Sequence, residues 1–169
     1  MIVVVMGVTG CGKSTVGAAL AARLGWPFLD ADDFHPEANV AKMASGVPLD
    51  DGDRWPWLDR IADELRRIEA AGGSAVLACS ALKEAYRERL AAGGDVRFVH
   101  LTGDPDTIAG RLAVRKHRYM PASLLASQYA TPEPPRDAIE VDVALPVEAQ
   151  VALACAGLAL PAGASATHR

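Results

Sequence analysis

The stretch Gly7-Val8-Thr9-Gly10-Cys11-Gly12-Lys13-Ser14-Thr15 follows directly on an unbroken apolar run, Ile2-Val3-Val4-Val5-Met6. A glycine, four residues, then Gly-Lys-Ser, set between an apolar strand and a helix, is the pattern of a phosphate-binding loop. Very few chain paths satisfy it: a buried strand must end in a tight turn whose last residues open a helix. The backbone N–H groups of such a turn point inward and cradle the β-phosphate of a nucleotide. Gly12 lets the main chain approach the phosphate closely. Lys13 carries a mobile positive charge to the β- and γ-phosphates, and Ser14 offers a hydroxyl to Mg²⁺, a hard cation that takes oxygen ligands. Residues 7 to 15 are therefore assigned to a nucleoside triphosphate.

The rest of the chain repeats the alternation of strand and helix. Strands are expected over 2–6, 27–30, 74–79, 96–101 and 139–143. The run 74–79 is apolar without alternation, as a central parallel strand covered on both faces should be. Helices are expected over 13–24, ended by Gly25, and over 36–45, 82–92, 104–116, 122–130 and 147–158. A further helix is expected to start near Pro56, since proline suits a first helical turn, and to run to about Ala71. Residues 46–53 read as loop, as do Thr131-Pro132-Glu133-Pro134-Pro135, whose prolines break both regular structures. Parallel strands with helical crossovers imply an α/β fold: a doubly wound, five-stranded parallel sheet flanked by helices, with ligands at the carboxyl ends of the strands. No repeat or long linker divides the chain, so one domain is expected over 1–160, and the small polar tail 161–169 is expected to fray.

Bulk properties remove several classes of function. The 169 residues are 50% hydrophobic, ordinary for a globular α/β chain. A net charge of −4 argues against general attraction to nucleic acid or an anionic membrane. No apolar run reaches the ~18–20 residues that span a bilayer, and the chain opens on a strand rather than a basic leader. Cys11, Cys79 and Cys155 are an odd, sparse set without metal spacing, which suits reduced thiols in the cytoplasm. Cys79 and Cys155 read as small buried side chains. Cys11 is either a tolerated small loop residue or, beside a helix N-terminus, a thiol of lowered pKa.

Asp30 and Asp32 follow the second strand two positions apart, so an extended segment points both to one side. Phosphoryl transfer needs a carboxylate near Mg²⁺ and often another near the attacking hydroxyl. The third strand, where many phosphate-loop enzymes carry the metal-linked aspartate, ends Ala78-Cys79-Ser80 with no carboxylate. By elimination Asp30 is assigned to the metal, through water, and Asp32 to the acceptor hydroxyl. His35 either contacts the substrate or caps the helix at Pro36. Arg54 stands where a loop enters a helix, and its planar fork suits a carboxylate. Lys83 and Arg87, four apart on one expected helix face, follow the third strand. Three cations near strand ends point to a small anionic acceptor. Trp55 and Trp57 either line the site or pack the core.

The densest basic cluster is Arg111, Arg115, Lys116, His117 and Arg118. Over 111–135 it reads as a mobile basic lid that closes on ATP, neutralises the phosphoryl group in flight and excludes water. Arg111 and Arg115 are its phosphate ligands, and Arg115 joins Lys13 and Asp32 as a catalytic residue.

Several further blocks are not explained by the nucleotide motif. They are Phe28-Leu29-Asp30-Ala31-Asp32 with His35-Pro36 and Asn39, then Lys42-Met43-Ala44-Ser45-Gly46-Val47-Pro48-Leu49. Asp51 and Asp53-Arg54 with Pro56-Trp57-Leu58 continue the series, as do Cys79-Ser80-Ala81-Leu82-Lys83 with Tyr86-Arg87 and Met120-Pro121-Ala122-Ser123-Leu124-Leu125 with Ser127-Gln128. Together, from about Val4 to Pro146, they resemble the gluconokinases of the shikimate-kinase-like type. The resemblance implies a P-loop kinase that moves the γ-phosphoryl of ATP to the 6-hydroxyl of D-gluconate, usually as a homodimer; with the Mg²⁺ expected at the loop, direct in-line transfer is the mechanism expected. It implies an acceptor-binding region over about 31–58, which adds Lys42. It also implies that Arg54, Lys83 and Arg87 face the sugar acid, with Asp32 at the hydroxyl. The chain departs from the family where His117-Arg118-Tyr119 stand for a common Gly-His-Phe, and where Pro132-Glu133-Pro134 stand in a common Leu-Glu-Glu-Pro. Lid contacts therefore transfer least. The acidic loop and the stretch 42–58 argue against a shikimate or nucleoside-monophosphate kinase. A guanine-reading switch needs an Asn-Lys-x-Asp box, which cannot exist here because the sole asparagine, Asn39, is followed by Val40.

Overall fold

The five expected strands form one sheet. In this computed structural model residues 1–114 and 133–160 are described, the side chains of 111–114 excepted. β1 (Ile2–Met6), β2 (Phe28–Asp30), β3 (Ala75–Ala78), β4 (Val96–Thr102) and β5 (Ile139–Asp142) lie in the order β2-β3-β1-β4-β5. Every neighbouring pair is parallel. Val4 stands level with Leu77 on one side and Phe98 on the other, so β1 is bonded along both edges.

Helices cover both faces: α1 (Lys13–Leu24), α2 (Glu37–Ala44), α3 (Asp51–Ala70), α4 (Glu84–Ala91), α5 (Pro105–Val114) and α6 (Val147–Gly157). Successive residues of a strand point to opposite faces. Val3 and Val5 pack with Val16 and Leu20 of α1, Ile108 of α5 and Val151 of α6. Ile2, Val4 and Met6 pack with Leu58, Ile61 and Leu65 of α3 and Leu90 of α4. Each residue of β1 is therefore buried, which is why the run carries no polar residue. Among the described residues no helix is long and apolar enough to cross a membrane.

Most boundaries fall within two residues of the expectation, and Gly25 closes α1 in the left-handed conformation, φ 68°. α3 is the main correction. It starts at Asp51, inside the stretch read as loop, and Pro56 lies within it rather than near its start. The cause is a capping box. Asp50 accepts from the Asp53 N–H at 2.9 Å, and Asp53 accepts from the Asp50 N–H at 2.9 Å. These reciprocal bonds satisfy helix-end donors, while Trp57, Leu58 and Ile61 anchor the next turns in the core. Proline at this depth loses one hydrogen bond to the preceding turn; the cap and the burial outweigh that loss.

α4 is the second correction. Lys83 is its N-cap, in extended conformation (φ −99°, ψ 147°), so it stands ahead of the helix and does not share a face with Arg87. The helix expected over 122–130, the last two residues of that expected over 104–116 and the tail 161–169 lie outside the described residues. Glu133-Pro134-Pro135 carry no regular structure, as expected.

Candidate active site

All the strands run parallel, so their carboxyl ends share one edge of the sheet. The phosphate-binding loop leaves β1 at that edge. Its conformation requires glycine at two positions for different reasons. Gly7 has φ 140°, and a Cβ there would lie 2.8 Å from the Leu101 carbonyl oxygen and 2.9 Å from Cys11 Sγ. Gly12, the N-cap of α1, has φ 101° with open space around it, so only its backbone conformation demands glycine. Cys11 is fully buried against this turn. All three cysteines are free and buried, and burial pushes the Cys79 thiol up to about 12.

Lys13 folds back and donates from Nζ to the Val8 carbonyl at 3.0 Å. Ser14 Oγ donates to Asp30 Oδ2 at 2.8 Å, and Asp30 Oδ1 accepts from the Asp32 N–H at 3.0 Å. The hydroxyl and the carboxylate assigned to Mg²⁺ thus meet where β2 ends beside the start of α1. Among the described residues no three His, Cys, Asp or Glu stand together as a metal cage. Mg²⁺ commonly takes one or two protein oxygens and fills its shell with phosphates and water, so this sparse oxygen pair fits it.

Beside the loop opens a cavity of about 710 Å³, lined among others by Gly12, Thr15, Thr107, Leu145 and Gln150. Gln150 is buried and braces the wall, donating from Nε2 to the Val143 and Leu145 carbonyls at 3.3 and 2.7 Å. A glutamine in the middle of an apolar terminal helix was the available signal for it.

Facing the loop, Asp30 caps a 3₁₀ turn, Ala31–Phe34, that carries Asp32 with its side chain 64% exposed. His35 ends the turn. Its ring stacks on Trp57 with centroids 4.4 Å apart and planes 12° from parallel. Burial first, and the Arg54 charge second, lower its pKa to about 4, so it is neutral at physiological pH. Nδ1 lies 3.4 Å from the Asn39 amide nitrogen, and Nε2 lies 3.9 Å from Asp32 Oδ1. With the Asn39 amide as donor, the ring proton belongs on Nε2, the side of Asp32. His35 does not cap α2, whose N-cap is Pro36 with no side-chain bond. Trp57 Nε1 donates to the Ala31 carbonyl at 2.7 Å, fixing the turn against α3, and Asn39 Nδ2 donates to the Asp53 carbonyl at 2.9 Å, tying α2 to α3.

The expected substrate cations take three different positions. Lys83 Nζ donates to both oxygens of Asp51, at 2.7 and 2.8 Å. Tyr86 donates its hydroxyl to the same carboxylate. Arg54 Nη1 is 3.8 Å from Asp51 and 3.2 Å from the Tyr86 oxygen. The bond from Lys83, then that from Tyr86, hold the Asp51 carboxyl below its ordinary pKa. Lys42 pairs with Asp53 and reaches Asp50 at 3.4 Å, tying α2 to the cap of α3. Arg87 turns inward. It is 6% exposed, donates from Nη1 to the Ala81 carbonyl at 2.9 Å, and has its pKa lowered by burial. Ala81 itself has φ 45°, strained for a residue with a Cβ. Arg115 and the Arg111 side chain lie outside the described residues.

Asp51 and Tyr86 are the residues that sequence reasoning left out of the site. Asp51 was hidden by reading 46–53 as loop; as the first residue of a helix it lies three positions from Arg54, on the same face.

Three comparisons bear on this arrangement. The shikimate kinase family model matches residues 9–130. A gluconokinase of Gluconobacter oxydans is 54% identical over 136 residues, covering 79% of this chain and 76% of that protein. A probable gluconokinase of Mus musculus is 50% identical over 152 residues, covering 79% of this chain and 83% of that one. The crystal structure of a gluconokinase from Sinorhizobium meliloti superimposes with a TM-score of 0.82 at 46% identity, covering 93% of this chain and 90% of the other.

Proposed function

The chain belongs to the shikimate kinase family and, within it, to the gluconokinases, and from that premise we propose that it transfers the γ-phosphoryl of ATP to the 6-hydroxyl of D-gluconate, giving 6-phospho-D-gluconate and ADP. The observation that carries the acceptor is the cluster on Asp51. Lys83, Arg54 and Tyr86 converge on one carboxylate, so the chain holds, at the strand ends, donors already arranged for a carboxylate-bearing ligand.

ATP lies with its phosphates in the turn of residues 7–15 and its nucleoside in the cavity lined by Thr107 and Leu145. Lys13 leaves the Val8 carbonyl for the β- and γ-phosphates. Ser14 and Asp30, the latter through water, would hold Mg²⁺, which neutralises phosphate charge when bound with the nucleotide. Asp32 accepts the proton of the 6-hydroxyl or orients it for in-line attack. His35, neutral and with its proton toward Asp32, steadies that carboxylate. Arg54 and Lys83 bind the carboxylate of gluconate, Lys42 keeps the cap of α3 in register beside them, and Arg87 supports the Ala81 bend beneath the acceptor. Arg111 and Arg115 complete the phosphate contacts. Positioning and electrostatics supply most of the rate. We infer a cytoplasmic homodimer: the free thiols support that compartment, and the gluconokinase resemblance supports the dimer.

The test is ADP release with Mg²⁺, ATP and D-gluconate, run on the wild type and on Asp32→Asn. The variant should lose about 10²-fold in kcat with little change in either KM. Near-normal turnover would remove Asp32 from the proton transfer.

A further inference from the structure

α4 begins without a cap of its own. Its N-cap residue is Lys83, which has no side-chain oxygen to accept from the first turn, and no side-chain cap bond is made there. Ser, Thr, Asp or Asn would be favoured at that position. The exception has a reason in the site: the Lys83 side chain runs to Asp51 in α3. The first N–H groups of a helix still need acceptors.

The acceptor comes from far along the chain. Glu133 Oε2 takes the Glu84 N–H at 2.6 Å, and the Glu133 N–H donates to the Leu82 carbonyl at 2.9 Å. The two bonds close around one residue. The amino acid before Lys83 is held by its C=O, and the amino acid after it by its N–H. A carboxylate also suits the positive end of a helix. The charge of Glu133, with those of Glu84 and Glu88, also favours the charged form of buried Arg87 one turn into α4.

We propose that Glu133 is a positioning residue for the acceptor: by capping α4 from outside, it fixes the backbone on both sides of Lys83 and so holds the Lys83 ammonium where the carboxylate of the sugar acid binds. This inference rests on the acceptor role assigned to Lys83 above. It identifies a local rule broken at a functional position and the distant residue that compensates for it. Among the described residues the hydrogen bonds of Glu133 run to Leu82 and Glu84, on either side of Lys83, so its effect is expected on the acceptor.

Steady-state kinetics with both substrates varied, on Glu133→Ala, Glu133→Gln, Lys83→Met and the double variant Glu133→Ala/Lys83→Met, test it. Glu133→Ala raises the KM for D-gluconate about fivefold, the size expected for a lost cap, and leaves the KM for ATP within about twofold. Glu133→Gln keeps an oxygen that accepts the Glu84 N–H and retains most of the wild-type KM. In the Lys83→Met background Glu133→Ala adds little, because the group it positions is gone. The proposal is overturned if Glu133→Ala raises both KM values alike, if it has its full effect without Lys83, or if it lowers only the melting temperature. A Lys83→Met protein with unchanged KM for D-gluconate overturns the acceptor role of Lys83 instead, and so separates the two failures.

Discussion

Around Lys13 the groups proposed to meet a nucleotide are mostly main-chain, contributed by nine consecutive residues; around Lys83 the groups proposed to meet the acceptor are side chains brought together from the 3₁₀ turn, α2, α3 and α4. The first region needs only that glycine stand where φ is 140° or 101° and that a helix start on time. The second needs Asp51, Arg54, Lys83 and Tyr86 to converge across 35 positions of chain, and Asp32, His35, Asn39 and Trp57 to lock a turn against two helices. A main-chain cradle binds any polyphosphate of suitable shape. A side-chain cluster can be retuned residue by residue, so on the proposed reading acceptor selectivity belongs to it.

The largest effect separates the two regions by kinetics. Lys13→Ala should lower kcat about 10³-fold, as expected for a preorganised cation at the transferring group. D-gluconate should still bind, as measured by equilibrium titration without ATP. If gluconate binding collapses with the same substitution, the two regions are not independent.

A smaller effect is expected on the acceptor side. Arg54→Ala should raise the KM for D-gluconate about tenfold, in the range of one hydrogen bond to a charged group, with the KM for ATP unchanged. An unaltered KM for gluconate takes Arg54 out of the acceptor site.

The smallest effect concerns pH and stability. The folded pKa of His35 is about 4 against an ordinary 6.5. As pH falls through 6.5 the unfolded chain takes up a proton that the folded chain refuses until about 4. Stability is therefore present above 6.5 and is lost as pH falls toward 4. His100, also lowered by burial, adds to the slope with the same sign. His35→Phe keeps a ring against Trp57 and should flatten the fall in denaturant midpoint across this window. An unchanged slope would show that His35 is not the group responsible.

The same contrast explains what the sequence made legible. A glycine-rich turn after an apolar strand is a local pattern, so the loop, β1 and α1 could be read residue by residue, and Ser14 and Asp30, the two residues expected at Mg²⁺, lie within a hydrogen bond of each other. The parallel sheet followed from apolar runs alternating with helices. α3 was misplaced because Pro56 and the glycine-aspartate stretch are strong local signals, whereas the Asp50–Asp53 box that overrides them is a reciprocal pairing with aspartate at both ends. Arg54 and Lys83 were legible as cations near strand ends. Their shared partner was not, because the reach from Lys83 to Asp51 is a tertiary fact. Arg87 reads in the sequence as a cation facing the acceptor; in the fold it is buried and donates to the Ala81 carbonyl, a tertiary contact that spacing along the chain does not show.

The central claim is that a nucleotide in the main-chain turn faces an anionic polyol held by Arg54 and Lys83. ADP release from purified protein with Mg²⁺ and ATP, over D-gluconate, shikimate and AMP, tests it most directly. The account predicts turnover with gluconate and none above background with the other two. A folded, ATP-binding protein that leaves gluconate untouched, or that prefers shikimate or AMP, would contradict it.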